Sequence, residues 1–325
     1  MRTQPSELTV PAALLITGSA DVFGQHASTY RRELLVHCYR MLGSIDDAED
    51  AVQDAFVRAW HRRDTFQKAI SFRAWLYRIA TNACIDAIRL RKRSGIGAWS
   101  FEVGPAPDDA LEETSAGPEE RYDAHESISL AFLTVLQLLP PRQRAVLILR
   151  DVLSWRAAEV AQLLEMSVPA VNSALHRART TVSREYVPIS AAIHHPEIAA
   201  LSRLRSLLDR YVQAWEATDV AGLVALLRDD AVVSMPPGVT LTGPQEIGAF
   251  LARSVFIDGT RMRLMPVHAN GSAGFVVFSG SRADTRLRPY ALLILEADDS
   301  RIARISVFVD RRLIARFGLP EELTG

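Results

Sequence analysis

Cysteine is almost absent: Cys38 and Cys84 are the only two in 325 residues. That is too few for the disulfide framework of a secreted domain or for a cysteine-rich zinc site. Long apolar runs are missing too, since none reaches the ~18 residues a membrane-spanning helix needs. Near the N-terminus a short apolar patch, Ala12 to Ile16, sits among Pro5, Glu7 and Pro11 after a single Arg, which makes a poor signal peptide. These absences lead to the expectation of a cytoplasmic chain with no membrane partner. No internal repeat and no long low-complexity tract is present. A hydrophobic fraction of 48% with 23% charged residues excludes collagen-like and disordered classes. At ~100–200 residues per domain, the length suggests two or three domains.

Net charge is also scarce, −1 for the whole chain, but this average hides strong local imbalance. Residues 23–93 carry 13 Lys and Arg against 8 Asp and Glu, a net +5. Residues 94–126 carry nine acids and one base, Arg121, a net −8. Residues 127–187 carry seven Arg and four acids, a net +3, and residues 188–325 are neutral. Two basic modules separated by an acidic segment point to nucleic-acid contact by particular segments. The acidic segment contains Gly95, Gly97, Gly104, Pro105, Pro107, Gly117 and Pro118, so it reads as a flexible linker. A second break is expected near Val187–Pro196.

In the first module the apolar spacing from Tyr30 to Leu42 predicts a helix stopped by Gly43, and Ser44 can cap a second helix from Ile45. That second helix gathers Asp46, Glu49, Asp50, Gln53 and Asp54 on one face, opposite an apolar stripe of Val52, Ala55, Phe56, Ala59 and Trp60. The acidic face fits plain solvation, and it also fits a basic protein partner. A third helix, capped by Ser71, is predicted from Phe72 to about Arg93, with a buried stripe of Phe72, Leu76, Ile79, Ala80, Ala83, Ala87 and Leu90. Its other faces mix Trp75, Tyr77, Arg78, Asn82 and Arg89 and end in Arg91-Lys92-Arg93. Rings can stack on unpaired bases while cations meet phosphates. The same residues fit core aromatics and a helix end rich in bases.

The strings DAEDAVQDAFVRAW (47–60) and FRAWLYRIATNACIDAIRLRKR (72–93) resemble region 2 of bacterial extracytoplasmic-function sigma factors, small members of the sigma-70 family. The resemblance implies that Glu49, Asp50, Gln53 and Phe56 dock on the clamp helices of the β′ subunit of core RNA polymerase. It also implies that the loop at 62–68, with Asp64, Thr65 and Phe66, and the helix residues Trp75, Arg78, Asn82, Arg89, Arg91, Lys92 and Arg93 open and hold the −10 promoter element.

The second module begins with an amphipathic helix, Ile128 to Leu139. Pro140 ends it, and Pro141 opens a helix to about Leu153. Residues 157–164, a short turn, and Val168 to about Tyr186 then form a helix-turn-helix pattern, with Ser167 as cap and Pro169 in the first turn. Val171, Leu175, Ala178 and Val182 should face inward, leaving Asn172, Ser173, His176, Arg177 and Arg179 outward. Such a helix fits the major groove, although the motif also serves plain packing. The string LPPRQRAVLILRDVLSWRAAEVAQLLEMSVPAVNSALHRAR (139–179) resembles sigma region 4. This implies a −35 reader that uses Ser167, Pro169, Asn172, Ser173, His176 and Arg177, and that meets the β flap of the polymerase.

Beyond residue 200, an amphipathic helix from Leu204 to Ala217 carries Tyr211, Val212 and Trp215. A second helix, 220–227, is capped by Asp219. Arg228-Asp229-Asp230 reads as a turn into Ala231–Met235, and Gly243-Pro244 opens another helix. Strands are predicted at 262–269, 273–279, 290–296 and 302–309. Helices followed by antiparallel strands suggest an α+β domain. The order resembles a SnoaL-like, NTF2-like cone, and FVDRRLIARFGLPEEL (308–323) resembles an actinobacterial sigma subgroup that carries this extension. In that subgroup the tether bears a Trp-Leu motif, of which only Trp99 stands here, so the residues give no sign of a contact between tether and C-terminal domain. Asp258, His268, Asp284, Tyr290 and Asp310 are available for acid–base chemistry, but no spacing joins them. A strand histidine and a strand-end cap describe His268 and Asp310 as well.

The expectation is a multidomain chain. Two all-α modules, a region 2 helical bundle (23–93) and a region 4 helix-turn-helix (127–187), are joined by an acidic linker (94–126) and followed by an α+β cone domain (200–325). It should be a non-enzymatic transcription initiation factor with no cofactor and no metal site. Its partners would be core RNA polymerase, promoter DNA and a small apolar ligand in the cone. Two other readings stay open: a one-component DNA-binding regulator, and a C-terminal isomerase or hydrolase.

Overall fold

Helix boundaries in the first half follow their capping residues. The computed structural model describes residues 19–66, 71–93, 103–111, 127–185 and, apart from 237, 258, 282 and 299, residues 198–324. The N-terminal apolar patch, Gln67 and Lys68 of the loop, Trp99, most of the acidic tether and the break near 187–196 lie outside the described residues. The described chain forms two compact units. One contains residues to 103, 111–128 and 132–185, and the other contains 104–110, 129–131 and 186–325.

The first unit starts with α1 (Ala20–Ser28) and α2 (Arg31–Leu42). Gly43 ends α2 with φ 73°, a left-handed backbone, and a Cβ there would come within 3.2 Å of Gln137. The left-handed backbone is what favours glycine here, and a Cβ would also press on the Gln137 side chain. Ser44 accepts from Asp47 N at 3.3 Å and starts α3 (Ile45–His61). Ser71 accepts from Ala74 N at 3.1 Å and starts α4 (Phe72–Arg93). Helices α2, α3 and α4 pack around Leu34, Cys38, Met41, Ala48, Val52, Ala55, Leu76, Ala80 and Cys84.

The buried side of α4 is broader than the predicted stripe. Trp75, Tyr77, Ile85 and Ile88 are buried, while Leu90 is 63% exposed. The reason is that α4 touches α2, α3 and the second module, so more than one of its faces is covered.

Polar residues tie this core together. His37 is fully buried, with its Nε2 2.9 Å from Thr81 Oγ1. Burial, reinforced by the nearby Arg40 and Arg73 cations, pushes its pKa down to about 3, so the ring is neutral. Arg73 pairs with Glu33 at 2.7 Å, and that bond holds its pKa above the ordinary arginine value despite burial.

The second module comprises α5 (Leu130–Leu138), α6 (Pro141–Leu147), α7 (Ala157–Leu164) and α8 (Val168–Glu185). One π-helical turn, Ile148–Val152, continues α6. The two modules, expected as separate bodies, share one unit. Arg144 of α6, 1% exposed, donates to the main-chain oxygen of Met41 in α2. It also donates to the Gln137 side chain, to Gln137 O at 2.9 Å and to Leu139 O at 3.2 Å. Burial lowers its pKa to about 10, still leaving it charged at neutral pH. Arg40, 2% exposed, donates to Ser127 Oγ at 2.7 Å.

The second unit is α+β. Helices α9 (Ile198–Glu216), α10 (Val220–Ala225) and α11 (Pro244–Phe250) accompany strands β1 (Leu227–Met235), β2 (Val239–Thr242), β3 (Thr260–Ala269), β4 (Ser272–Ser281), β5 (Arg286–Ala297) and β6 (Ile302–Phe308). The strand order is β2-β1-β6-β5-β4-β3, antiparallel throughout except for the parallel β1–β6 pair. Arg228–Asp230, predicted as a turn, lie within β1, where the register shifts between Leu227 and Val232. A bulge explains charged residues inside a strand. Leu207, Tyr211 and Trp215 of α9 pack over Phe275, Val277, Ala291, Leu293 and Ile305 on one face of the sheet. Helix α12 (Arg311–Ala315) and strand β7 (Leu323–Thr324) both adjoin β5.

Asn270 (φ 55°) and Gly271 (φ 73°) form the two-residue turn of the β3–β4 hairpin. Left-handed conformation at both positions is what such a hairpin requires. Residues 104–110, read above as flexible linker, pack on this turn. Pro107 bridges Ala269, Ala106 N donates to Asn270 Oδ1 at 2.8 Å, and Gly271 N donates to Asp108 Oδ1 at 2.8 Å. A contact of which the residues gave no sign is therefore present at residues 106–108. The motif sought was a side-chain signature, whereas the contact uses main-chain groups that almost any sequence can supply.

Candidate polymerase and promoter interfaces

Helix α3 buries Ile45, Ala48, Ala51, Val52, Ala55 and Ala59 and turns its acids outward. Asp46, Asp50, Gln53 and Asp54 are exposed, while Glu49 and Phe56 are half-buried at the edge of the same face. Val57, not singled out from the sequence, is 51% exposed beside them. The face thus combines negative charge with an apolar patch, as a protein-docking surface does. Its far end is braced by Arg58, which bridges Asp54 at 2.7 Å and Asp86 of α4 at 3.0 Å.

After α3 the chain makes a single 3₁₀ turn, Arg63–Thr65. The Arg63 guanidinium lies 3.9 Å from the Trp60 ring centre, which fixes the loop's departure. Asp64 and Thr65 are exposed, as a base-holding loop requires. Phe66 is not: it meets Phe72 at 5.6 Å and Trp75 at 5.4 Å between ring centres, in a cluster that includes Phe23. Trp75 is only 5% exposed. The two rings expected to meet bases are core residues that position the loop.

Arg78, Asn82, Arg89, Lys92 and Arg93 lie on one side of α4, where the 3.6-residue period places them. Asn82, Arg89, Lys92 and Arg93 are exposed, and Arg78 is half-buried and paired with Glu165. Arg91 falls on the opposite side and pairs with Asp47 of α3, so it joins two helices rather than extending the basic face.

In the second module Glu165, left-handed at φ 54°, ends α7, and Ser167 accepts from Ala170 N at 3.3 Å to start α8. Val171, Ala174, Leu175 and Ala178 are buried. Ser167, Pro169, Asn172, Ser173, His176 and Arg177 are all exposed on the N-terminal half of α8. This is the half of a recognition helix that reaches base edges. Arg177 donates to Ser173 Oγ at 2.7 Å, which aligns its guanidinium along that face. Arg179, expected outward, is held by both oxygens of Asp151 at 2.8 and 2.7 Å.

In the second unit His268, Asp284, Tyr290 and Asp310 are all exposed, and Asp258 lies outside the described residues. Asp284 accepts from Ser281 N and Asp310 from Arg312 N, both at 2.8 Å, so each carboxylate closes a turn or caps a helix. The polar groups inside the fold are others. Tyr211 and Trp215 are buried with neither the phenol oxygen nor the indole Nε1 hydrogen-bonded. Burial raises the phenol pKa well above its ordinary value, so Tyr211 is a neutral donor. Both belonged to a predicted apolar stripe, and only the depth of burial singles out their polar ends. Among the described residues no acidic, histidine or cysteine cluster could hold a metal, and no helix is long and apolar enough to cross a membrane.

Comparison with known proteins agrees with this division. Residues 27–94 match Sigma-70 region 2, residues 129–182 match Sigma-70, region 4, and residues 208–305 match the SnoaL-like domain. The ECF RNA polymerase sigma factor SigW of Bacillus subtilis is 30% identical over 185 residues, covering 52% of this chain and 90% of its own length. The crystal structure of the Mycobacterium tuberculosis extracytoplasmic function sigma factor SigJ shares the fold with a TM-score of 0.61 at 19% identity, over 92% of this chain and 100% of that one. The ECF RNA polymerase sigma factor SigG of Mycobacterium tuberculosis is 37% identical over 321 residues, covering 93% of this chain and 85% of the relative. The match runs through both helical modules and on into the C-terminal domain, and the chain belongs to the ECF RNA polymerase sigma factors.

Proposed function

We propose that this sigma factor docks on the β′ clamp helices of core RNA polymerase through Glu49, Asp50, Gln53 and Phe56. The basic side of α4 and the Asp64–Thr65 loop then open the −10 element, while the exposed start of α8 reads the −35 element and region 4 meets the β flap. Residues 23–93, 94–126, 127–187 and 200–325 are the corresponding parts of the chain. The chain acts in the cytoplasm, where its polymerase is. The observation that carries the docking role is the outward acidic face of α3 inside the region 2 match. A simple DNA-binding regulator has no need of such a face.

The test uses purified core polymerase and a cognate promoter. Glu49→Arg with Asp50→Arg should abolish core binding and transcription while free-chain DNA affinity is kept. Transcription that survives the double change would favour a one-component regulator.

The C-terminal domain modulates this activity without catalysis of its own. Its support is the pairing of residues 106–108 with the β3–β4 turn, which ties the domain to the tether between the two DNA-reading modules. The unpartnered polar ends of Tyr211 and Trp215 inside an apolar core suit a small apolar ligand that carries an acceptor. Truncation after Tyr186 should alter promoter output and leave promoter choice unchanged. An unaltered output would remove the modulatory role.

A further inference from the structure

Opening a duplex takes two kinds of contact: cations that hold phosphates, and an apolar or aromatic group that takes a neighbouring base's place in the stack. Region 2 supplies the first kind plainly, with Arg89, Lys92 and Arg93 exposed at the end of α4. The aromatic candidates for the second are out of reach, because Phe66, Trp75 and Tyr77 are all buried. Among the described residues of α4, one large apolar side chain is exposed. It is Leu90, at 63%.

Leu90 lies inside the run Arg89-Leu90-Arg91-Lys92-Arg93, and its setting is rigid. Ile88, two residues before it, is buried, and Arg91, next along, pairs with Asp47 of α3. The last turn of α4, where helices ordinarily fray, is thereby pinned to its neighbour. The acid one turn back, Asp86, is taken up by Arg58 at 3.0 Å and by Arg89 at 3.7 Å. Leu90 therefore stands as an isolated, firmly held apolar side chain in a field of cations. A base step matches that arrangement: apolar between the bases, with phosphates on either side. Leucine is among the side chains that enter such a step, unstack it and kink the duplex.

We propose that Leu90 is the unstacking wedge of this sigma factor. It enters the duplex at the edge of the −10 element while Arg89, Lys92 and Arg93 hold the flanking phosphates. The chain runs on from α4 toward the −35 reader, so this edge is the upstream one. Leu90 also lies at the opposite end of α4 from the Asp64–Thr65 loop, which separates two jobs. Leu90 breaks stacking at the boundary between duplex and bubble, and the loop keeps the freed bases from returning. The inference rests on the sigma-factor reading above for which DNA is opened.

The test measures the rate of opening with a fluorescent base in the bubble, using core polymerase, the full-length chain and a cognate promoter. Leu90 is exposed, so Leu90→Ala, Leu90→Met and Leu90→Lys should all fold and bind core polymerase as the unchanged chain does. Leu90→Ala should open the paired promoter about tenfold more slowly, the scale expected when leucine's buried apolar surface is cut back to alanine's. Leu90→Met should keep most of the rate. Leu90→Lys should be as slow as Leu90→Ala although it adds a cation, which separates a wedge from a phosphate contact. A mismatched pair at the upstream edge of the element unstacks that step in advance, so on this promoter all four proteins should open alike. An unchanged rate for Leu90→Ala on the paired promoter, or a deficit that persists on the mismatched one, would overturn the wedge. Loss of core binding in the variants would overturn it too, by making Leu90 part of the polymerase contact. If the unchanged chain itself neither binds core polymerase nor opens a promoter, the sigma-factor reading fails and the wedge falls with it.

Discussion

His37 and Thr81 face each other across the α2–α4 contact, ring nitrogen to hydroxyl oxygen at 2.9 Å, and neither side chain reaches solvent. The bond needs only a neutral imidazole, and its surroundings enforce one. Burial and the cations of Arg40 and Arg73 hold the His37 pKa at about 3, against 6.5 in an open chain. Between these values the unfolded chain binds a proton that the folded chain refuses, so stability rises with pH across that window. It is lost as the pH falls from about 6.5, by up to ~1.4 kcal/mol per pH unit. Urea unfolding at pH 7.5, 6.5 and 5.5 should show this slope, and His37→Gln should flatten it.

Arg144 offers a second test of buried polarity. Its planar fork serves main-chain oxygens of both helical modules, Met41 in the first and Gln137 and Leu139 in the second. Arg144→Met strands these acceptors and should destabilise the first unit by about 3 kcal/mol or more. Arg144→Lys should rescue little, because one compact ammonium cannot reproduce a fork. Denaturant midpoints of the three proteins decide the matter.

The tether contact can be separated from the hairpin that receives it. Asn270→Gly keeps a left-handed turn but removes the acceptor of Ala106 N, whereas Asn270→Ala removes the acceptor and strains the turn as well. Hydrogen exchange at Ala106 N should accelerate in both variants. Melting of the second unit should fall by ~1 kcal/mol more in the alanine variant.

On α8 the exposed residues should divide by role. Arg177→Ala is expected to weaken −35 DNA binding for all sequences alike and to lower the slope of log affinity against log salt by about 1. Asn172→Ala should instead relax preference at one base pair, by ~1–3 kcal/mol. Binding isotherms on matched and singly mismatched duplexes at two salt concentrations distinguish the two.

Much of this architecture is legible in the residues themselves. Gly43 with Ser44, Ser71 and Ser167 mark helix boundaries because capping is a local, stereochemical requirement, and all are found where they are expected. The outward face of α8 is equally plain, since the helix has one covered side and its period sorts inward from outward. Helix α4 defeats the same reasoning. It is packed on several sides, so Trp75 and Tyr77 sink into the core, Leu90 emerges, and Arg91 turns away from Arg89 toward Asp47. The joining of the two modules and the grip on residues 106–108 are long-range, main-chain or single-side-chain contacts, which leave no periodic trace.

That grip changes what kind of object region 4 is. Residues 106–108 and the helix that starts at Ile198 belong to the same unit, and the helix-turn-helix lies between them in the sequence. Topologically the helix-turn-helix is an excursion from the second unit, which the chain leaves after residues 129–131 and rejoins before the helix that starts at Ile198. A cut between Tyr186 and Glu197 would break a covalent link yet leave residues 104–110 and 129–131 in the same unit as the domain, so the two fragments should travel together while those segments keep their places.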